Sequence, residues 1–404
     1  MMPNVAVAVV GVGLVAKEVV RQLFAPALNG VFEVVFLSGS RHAVAFERGK
    51  RFGDAEALLA LLPPSSTSPS ARPSLPHGAT YSSTNFETII STLATDSTSS
   101  GQHTILVDCT SSADLGALYP RALSSGLSVV TPNKKAFASS SSLYAAIVSA
   151  QLELGAGLCY HEATCGAGLP VLSTMRDLVA TGDEILRVEG VLSGTLAYLF
   201  NQFSTVDGVE DGARPFSELV RVAKEHGHTE PHPADDLSGA DVARKLTILA
   251  RVASASSSFS SAPSSPLPLP DLPDGYLSVP TQSLVPPELA ALADASEFLD
   301  KLADLDGDFA AQRDEAARAR RVLRYVGVID RERGEIRCGL ESFPHSHPFA
   351  TSSGSYLSLA IYTRRYGSSP LVIQGQGFPL SVTAGAVVAD AVRVAERYGA
   401  RVGL

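Results

Sequence analysis

Short β-branched runs alternate with stretches of helically spaced apolar residues along the first part of the chain. Residues 4–10 (NVAVAVV) read as a strand, and 14–24 (LVAKEVVRQLF) repeat apolar residues at helical spacing, with two glycines between them. Runs at 31–37, 104–108 and 127–131 predict further strands, with a helical stretch at 113–125 between the last two. This alternation predicts a parallel, doubly wound α/β sheet. Beyond about residue 155 the pattern changes. Helices are predicted over 168–181, 194–203, 215–226 and 237–253, with strands at 185–192, 323–330, 335–340, 356–363 and 370–374. Arg331–Gly334 reads as the hairpin turn of the middle pair. The second half is therefore expected to be α+β, and an amphipathic helix at 383–398 is expected to return to the first domain. The expected division is a dinucleotide-binding domain over 1–151, completed by 375–404, and a catalytic and dimerisation domain over 152–374.

Composition narrows the function. The chain has 404 residues, and 45% of them are apolar, enough for two or three cored domains. A net charge of −9 without a clustered run of Lys and Arg argues against a nucleic-acid surface. The four cysteines show no C-x-x-C spacing, so reduced, mostly buried thiols in a cytoplasmic protein are expected, and zinc is not. The opening MMPNVAVAVVGVG lacks the basic start of a signal peptide, and no stretch reaches the roughly 20 apolar residues of a membrane span. Ser and Pro dominate 61–79 and 254–275, which are expected to be loops or insertions away from the site, and 94–102 (ATDSTSSGQ) is read as a long turn.

Several stretches could carry chemistry. Gly11-x-Gly13-x-x-Ala16 lies between strand and helix, where the first glycine permits a tight turn and the second lets backbone N–H groups of Leu14 and Val15 approach a pyrophosphate. The second strand ends in Ser38-Gly39-Ser40-Arg41-His42. An NAD site would place an acid there; a base fits a 2′-phosphate, hence NADP, unless Arg41 is a solvated loop residue. VDCTSS (107–112) offers Thr110 and Ser111 as a lip for the nicotinamide ribose, and TPNKKAF (131–137) places Lys134 at a strand's carboxyl end, or at an ordinary helix start. YHEATCGAGLP (160–170) combines Glu162 with small residues whose carbonyls could hold a hard monovalent cation. Ser193-Gly194-Thr195 opens a helix and reads either as a carboxylate site or as a plain N-cap. Glu230, Asp235, Asp236 and Asp241 precede Lys245, an arrangement better matched to an ammonium-bearing substrate than to a metal. An acid and an amine four residues apart in so apolar a run imply more than a surface ion pair.

GVG at 11–13, TPNKKAF, HEATCGAGLP, VLSGTLAYLF, GHTEPHPADDLSGADVARKLTILAR and VTAGAVVAD together resemble the monofunctional, fungal type of homoserine dehydrogenase, in order and over most of the chain. The resemblance implies NAD(P)-dependent interconversion of L-aspartate 4-semialdehyde and L-homoserine, on the branch to threonine and methionine, without an aspartate-kinase segment or an ACT domain. It implies Lys245 and Lys134 as the catalytic lysines and Glu230, Asp236, Asp241 and Thr195 around the substrate. A sodium ion on Glu162 and the carbonyls of Cys165, Ala167 and Leu169 is implied too, as is a homodimer. The C-terminal turn QGQGFPLSVTA (374–384) would bring Gly377 to the cofactor, with Phe378 and Pro379 narrowing it beyond the family pattern. Two rivals remain: a phosphorylating aspartate-semialdehyde dehydrogenase with Cys165 as nucleophile, and a protein that only senses NADP.

Overall fold

The computed structural model describes residues 5–49, 52, 54–68, 72, 74–207, 214–254, 267–377 and 379–402. Phe378 and most of the second Ser/Pro-rich stretch therefore lie outside the described residues. The chain forms two compact units, one from 1–168 with 379–404 and one from 169–378. The expected boundary at 151 falls inside the first unit, because the strand at 159–160 pairs into its sheet.

The first unit runs β1 (Val5–Val10), α1 (Leu14–Leu23), β2 (Phe32–Ser38), β3 (Ala43–Phe46), α2 (Ala55–Leu59), β4 (Ala79–Ser82) and α3 (Phe86–Ser100). It continues with β5 (Thr104–Asp108), α4 (Ala113–Ala117), α5 (Tyr119–Ser124), β6 (Ser128–Val130), α6 (Ser141–Ala150) and β7 (Cys159–Tyr160). Strand order is β4-β3-β2-β1-β5-β6-β7. The five strands from β2 to β7 are parallel, as expected of a doubly wound sheet, whereas β3 and β4 add an antiparallel edge. β1 is buried along its whole length, which explains its uninterrupted apolar run. The order reverses at β1, with β2 on one side and β5 on the other, and this is where doubly wound sheets bind ligands.

The second unit contains α7 (Val171–Ala180), β8 (Ile185–Val191), α8 (Gly194–Phe203), α9 (Phe216–Glu225), α10 (Pro233–Leu237) and α11 (Ala240–Ser254). There follow α12 (Ala295–Leu302), α13 (Asp306–Arg318), β9 (Arg321–Asp330), β10 (Glu335–Pro344), β11 (Tyr356–Thr363) and β12 (Leu371–Gln376). These strands form an antiparallel sheet in the order β10-β9-β8-β11-β12. A Cβ on Gly327 of β9 would lie 2.9 Å from Leu246 of α11, so the glycine lets the helix seat closely on the sheet. The chain then returns to the first unit as α14 (Leu380–Arg397), whose Ala384, Val387, Ala391 and Val394 join Val19, Val20 and Leu23 of α1 in one core.

Two local expectations fail. The supposed turn at 94–102 is mostly helix: Asn85 caps α3 through Thr88 N–H, Gly101 ends it with φ +66°, and Thr95, Thr98 and Ser100 return their hydroxyls to carbonyls four residues back. The described part of 61–79 does not lie apart from the candidate site. Ser65 bonds Ser40 and Arg41, and Thr67 bonds His42, so this stretch packs on the turn after β2.

Candidate active site

Each unit carries part of the candidate set. In the first unit Gly11 has φ +84°, and a Cβ there would lie 2.6 Å from Thr110 Cγ2 and 2.8 Å from Thr110 N. Glycine is required both by the backbone and by the close approach of the β5 turn. Gly11 and Val12 donate their N–H groups to Ser38 O, tying the β1 turn to the end of β2. Gly13 occupies the N-cap of α1 without a side chain to bond the first-turn N–H groups, and a Cβ at Gly13 would find no atom nearer than 3.9 Å. Leu14 and Val15 therefore begin α1 beside an open, donor-rich helix start that suits a pyrophosphate. Arg41 is exposed at the turn after β2, with Nη1 3.3 Å from Ser65 O.

The ends of β5 and β6 are tied together. Asp108 closes β5, where its Oδ1 accepts from Thr110 N–H at 2.7 Å. Its Oδ2 accepts from Tyr119 Oη at 2.5 Å and Asn133 Nδ2 at 3.1 Å. Thr131 Oγ1 donates to Asp108 O and accepts from Asn133 N–H, next to half-buried Lys134. Ser111 stays exposed beside Thr110. Asp108, Tyr119 and Asn133 are not among the residues that the sequence pattern singles out; the signal for them is an acid that closes a wholly buried strand.

Glu162 is buried, and its N–H donates to Asp390 Oδ2 of α14 while Arg393 lies 3.4 Å from its carboxylate. Two consecutive left-handed residues follow, Gly166 (φ +83°) and Ala167 (φ +55°). An alanine held there is uncommon and marks a constrained loop. Cys165 is wholly buried, and Leu169 opens the second unit, where its carbonyl accepts from Val171 N–H.

In the second unit Lys245 is the centre. Its Nζ donates to Leu192 O at 2.7 Å, just past β8, and pairs with Asp241 Oδ2 at 2.6 Å. The lysine side chain is 12% exposed and that of Asp241 37%, so the amine is confined while its acid still meets solvent. Ser193 caps α8 through Leu196 N–H, and Thr195 Oγ1 donates to His228 O at 2.6 Å, holding the 226–230 segment against the start of α8. Asp236 Oδ2 accepts the Glu230 N–H at 2.8 Å and lies against Thr195. Burial pushes the Asp236 carboxyl up to about 6, opposed by the Glu230 N–H and reinforced by the Glu230 and Asp241 carboxylates. The structure thus brings Lys245, Asp241, Asp236, Glu230 and Thr195 together. Gly377 follows β12, packed against Leu357. The helix predicted over 237–253 is α11, which starts at Ala240, because Gly239 with φ of +75° separates it from the short α10.

Residues 170–392 match the family model of homoserine dehydrogenase, and 11–161 match that of its NAD-binding domain. The homoserine dehydrogenase of Saccharomyces cerevisiae is 37% identical over 393 residues, 97% of this chain and 98% of its own. The chain belongs to the homoserine dehydrogenase family. Its activity is that of a nicotinamide-dependent oxidoreductase acting on the alcohol of homoserine. A Candida auris crystal structure, described as a protein of unknown function, is 37% identical with a TM-score of 0.81, covering 98% of this chain and 99% of that one. A hyperthermophilic archaeal homoserine dehydrogenase in complex with NADPH shares the fold at a TM-score of 0.66 and 18% identity, with 98% of each chain covered. The rival readings lose their support. A nucleophilic cysteine must be accessible, and Cys165 is not; a pure sensor does not account for a homoserine dehydrogenase match over 170–392. Among the described residues no helix is long and apolar enough to cross a membrane.

Proposed function

We propose that this homoserine dehydrogenase interconverts L-aspartate 4-semialdehyde and L-homoserine with NADP, and that Lys245 moves the hydroxyl proton. The observation that carries the reading is the confinement of the Lys245 amine between Asp241 and the Leu192 carbonyl, beside three further polar groups suited to an amino acid. Bound NADPH supplies the hydride to the aldehyde carbon. Lys245 gives a proton to the carbonyl oxygen as that carbon is reduced and takes it back in the oxidation. Glu230, Asp236 and Asp241 hold the substrate ammonium, and Thr195 borders the same pocket. Lys134 stands at the end of β6, where a doubly wound sheet receives the nicotinamide, with Thr110 and Ser111 at the ribose. The N–H groups of Leu14 and Val15 take the pyrophosphate beside Gly11 and Gly13, whose own N–H groups are bonded to Ser38 O and Gly11 O. Arg41 takes the 2′-phosphate, and Gly377 adds a contact at the C-terminal turn.

The Glu162 carboxylate and the carbonyls of Cys165, Ala167 and Leu169 are oxygen donors of the kind a sodium ion takes, and the constrained backbone at Ala167 supports that use. A homodimer formed through the α+β half and a cytoplasmic location complete the reading. Its test is NADPH and NADH oxidation with L-aspartate 4-semialdehyde, with and without phosphate and a thiol-blocking reagent. Turnover needing neither phosphate nor a free thiol, faster with NADPH, is expected. Lys245→Ala should lower kcat by roughly 10²–10⁴-fold while NADPH binding stays near wild type; unchanged kcat in that variant would sink the assignment.

A further inference from the structure

The Asp108 carboxylate is fully buried at the carboxyl end of β5, together with Tyr119, Thr131 and Asn133. Among the described residues no ion pair neutralises it; three neutral donors hold it, from Thr110 N–H, Tyr119 Oη and Asn133 Nδ2. A buried carboxylate is costly, and an apolar side chain of similar size would serve stability alone at least as well. What the carboxylate does that an apolar residue could not is join two chain segments at fixed distance. One of its oxygens sets the Thr110 turn, which also packs within van der Waals reach of Gly11. Its other oxygen sets Asn133, whose amide nitrogen reaches on to Ser112 O and whose Oδ1 accepts Lys135 N–H, so that Lys134 is bracketed on both sides. Burial raises both the Asp108 carboxyl and the Tyr119 phenol above their ordinary values, and the short contact between them keeps one proton in the pair.

We propose that Asp108 is a positioning residue for the reaction, acting through Asn133 to hold Lys134, and through Thr110 to hold the ribose lip, in register with the glycine turn. The inference rests on the reading that Lys134 works beside the nicotinamide. Asp108→Asn changes the volume little and keeps an acceptor for Thr110 N–H, and Tyr119 can turn its hydroxyl to accept. The new amide, however, meets Asn133 Nδ2 donor to donor, and Asn133 cannot flip without losing its bonds to Ser112 O and Lys135 N–H.

The experiment is a double-mutant cycle on the full chain with Asp108→Asn and Lys134→Ala, reading kcat, KM for NADPH and thermal unfolding. Asp108→Asn is expected to lower kcat at least 10-fold with KM for NADPH moved less than 3-fold. In the Lys134→Ala background the same change should cost less than about 2-fold, because the group it positions is gone. Should Asp108→Asn fail to fold, Asn133→Ala keeps the buried carboxylate, cuts the same link, and takes its place in the cycle with the same expectation. Losses that multiply independently would mean a structural role only and overturn the inference. Wild-type kcat in Asp108→Asn, with Lys134→Ala impaired, overturns the inference alone. Wild-type kcat in Lys134→Ala overturns the reading of Lys134 and the inference with it.

Discussion

At the scale of single residues the candidate site sets charge against burial, and Asp236 shows the conflict most directly. Its carboxyl is pushed up to about 6, chiefly by burial. The folded state therefore holds a proton in the pH range from about 4 to about 6 in which the unfolded chain has lost it. Stability falls as pH rises through that window, and the penalty is complete above about 6. Substrate binding runs the other way, because the ammonium of homoserine needs the ionised form. KM for homoserine is expected to rise about tenfold for each pH unit below about 6, while Asp236→Asn removes that dependence, weakens homoserine at neutral pH and raises stability there by on the order of 1–2 kcal/mol. A pH series of KM with thermal melts at neutral pH checks both halves. A flat profile in the wild type would show that Asp236 does not meet the substrate.

At the scale of elements, the junctions decide where the reactive groups go. Gly239 separates α10 from α11, with φ +75° and a Cβ position 2.0 Å from Tyr325 Oη, whose hydroxyl is held by Gln282 O. Gly239→Ala must distort the left-handed turn and displace Tyr325, so a loss of about 2–4 kcal/mol is expected, with kcat lowered because Asp241 and Lys245 ride on the first turns of α11. Adding Tyr325→Phe should recover part of the stability by opening space but not the backbone strain of about 1 kcal/mol. Denaturant melts of the three variants measure this, and a Gly239→Ala protein as stable as wild type would contradict it. Elements of this kind were legible to different degrees. β1 and β5 stood out because burial on both faces demands unbroken apolar runs, and α11 because its buried residues recur at helical spacing. Asp241 and Lys245 stood out because a charge pair conflicts with such a run. α3 did not, since its Ser and Thr hydroxyls satisfy the helix's own carbonyls and leave only Ile89, Ile90 and Leu93 as its buried face. β3 and β4, four residues each, are too short to show a period. The Asp108 hub was hidden for another reason: a strand-end acid looks like a solvated turn until the fold closes Tyr119 and Asn133 over it.

At the scale of the whole molecule, the first unit is discontinuous in sequence. The chain leaves it at Gly168, builds the second unit, and returns at Pro379 so that Gln22 of α1 bonds Ser381 O across 359 positions. The helix α14 supplies a wall of the same core that supports the glycine turn, and Glu162 is bonded to Asp390 on that helix. A ligand that binds only the folded first unit must therefore stabilise α14 as strongly as α1. At an NADPH concentration of 100 times its Kd the linkage is about 2.7 kcal/mol, or roughly 100-fold slower exchange for amides that open only with the unit. Hydrogen exchange with and without NADPH is expected to show that slowing in α1, β1 and α14 together, with far less in α12 and α13 of the second unit. Were α14 to exchange at an unchanged rate while α1 was protected, the helix would be an accessory cover rather than part of the cofactor-binding core, and the strained left-handed loop after Glu162 would have to draw its support from the sheet alone.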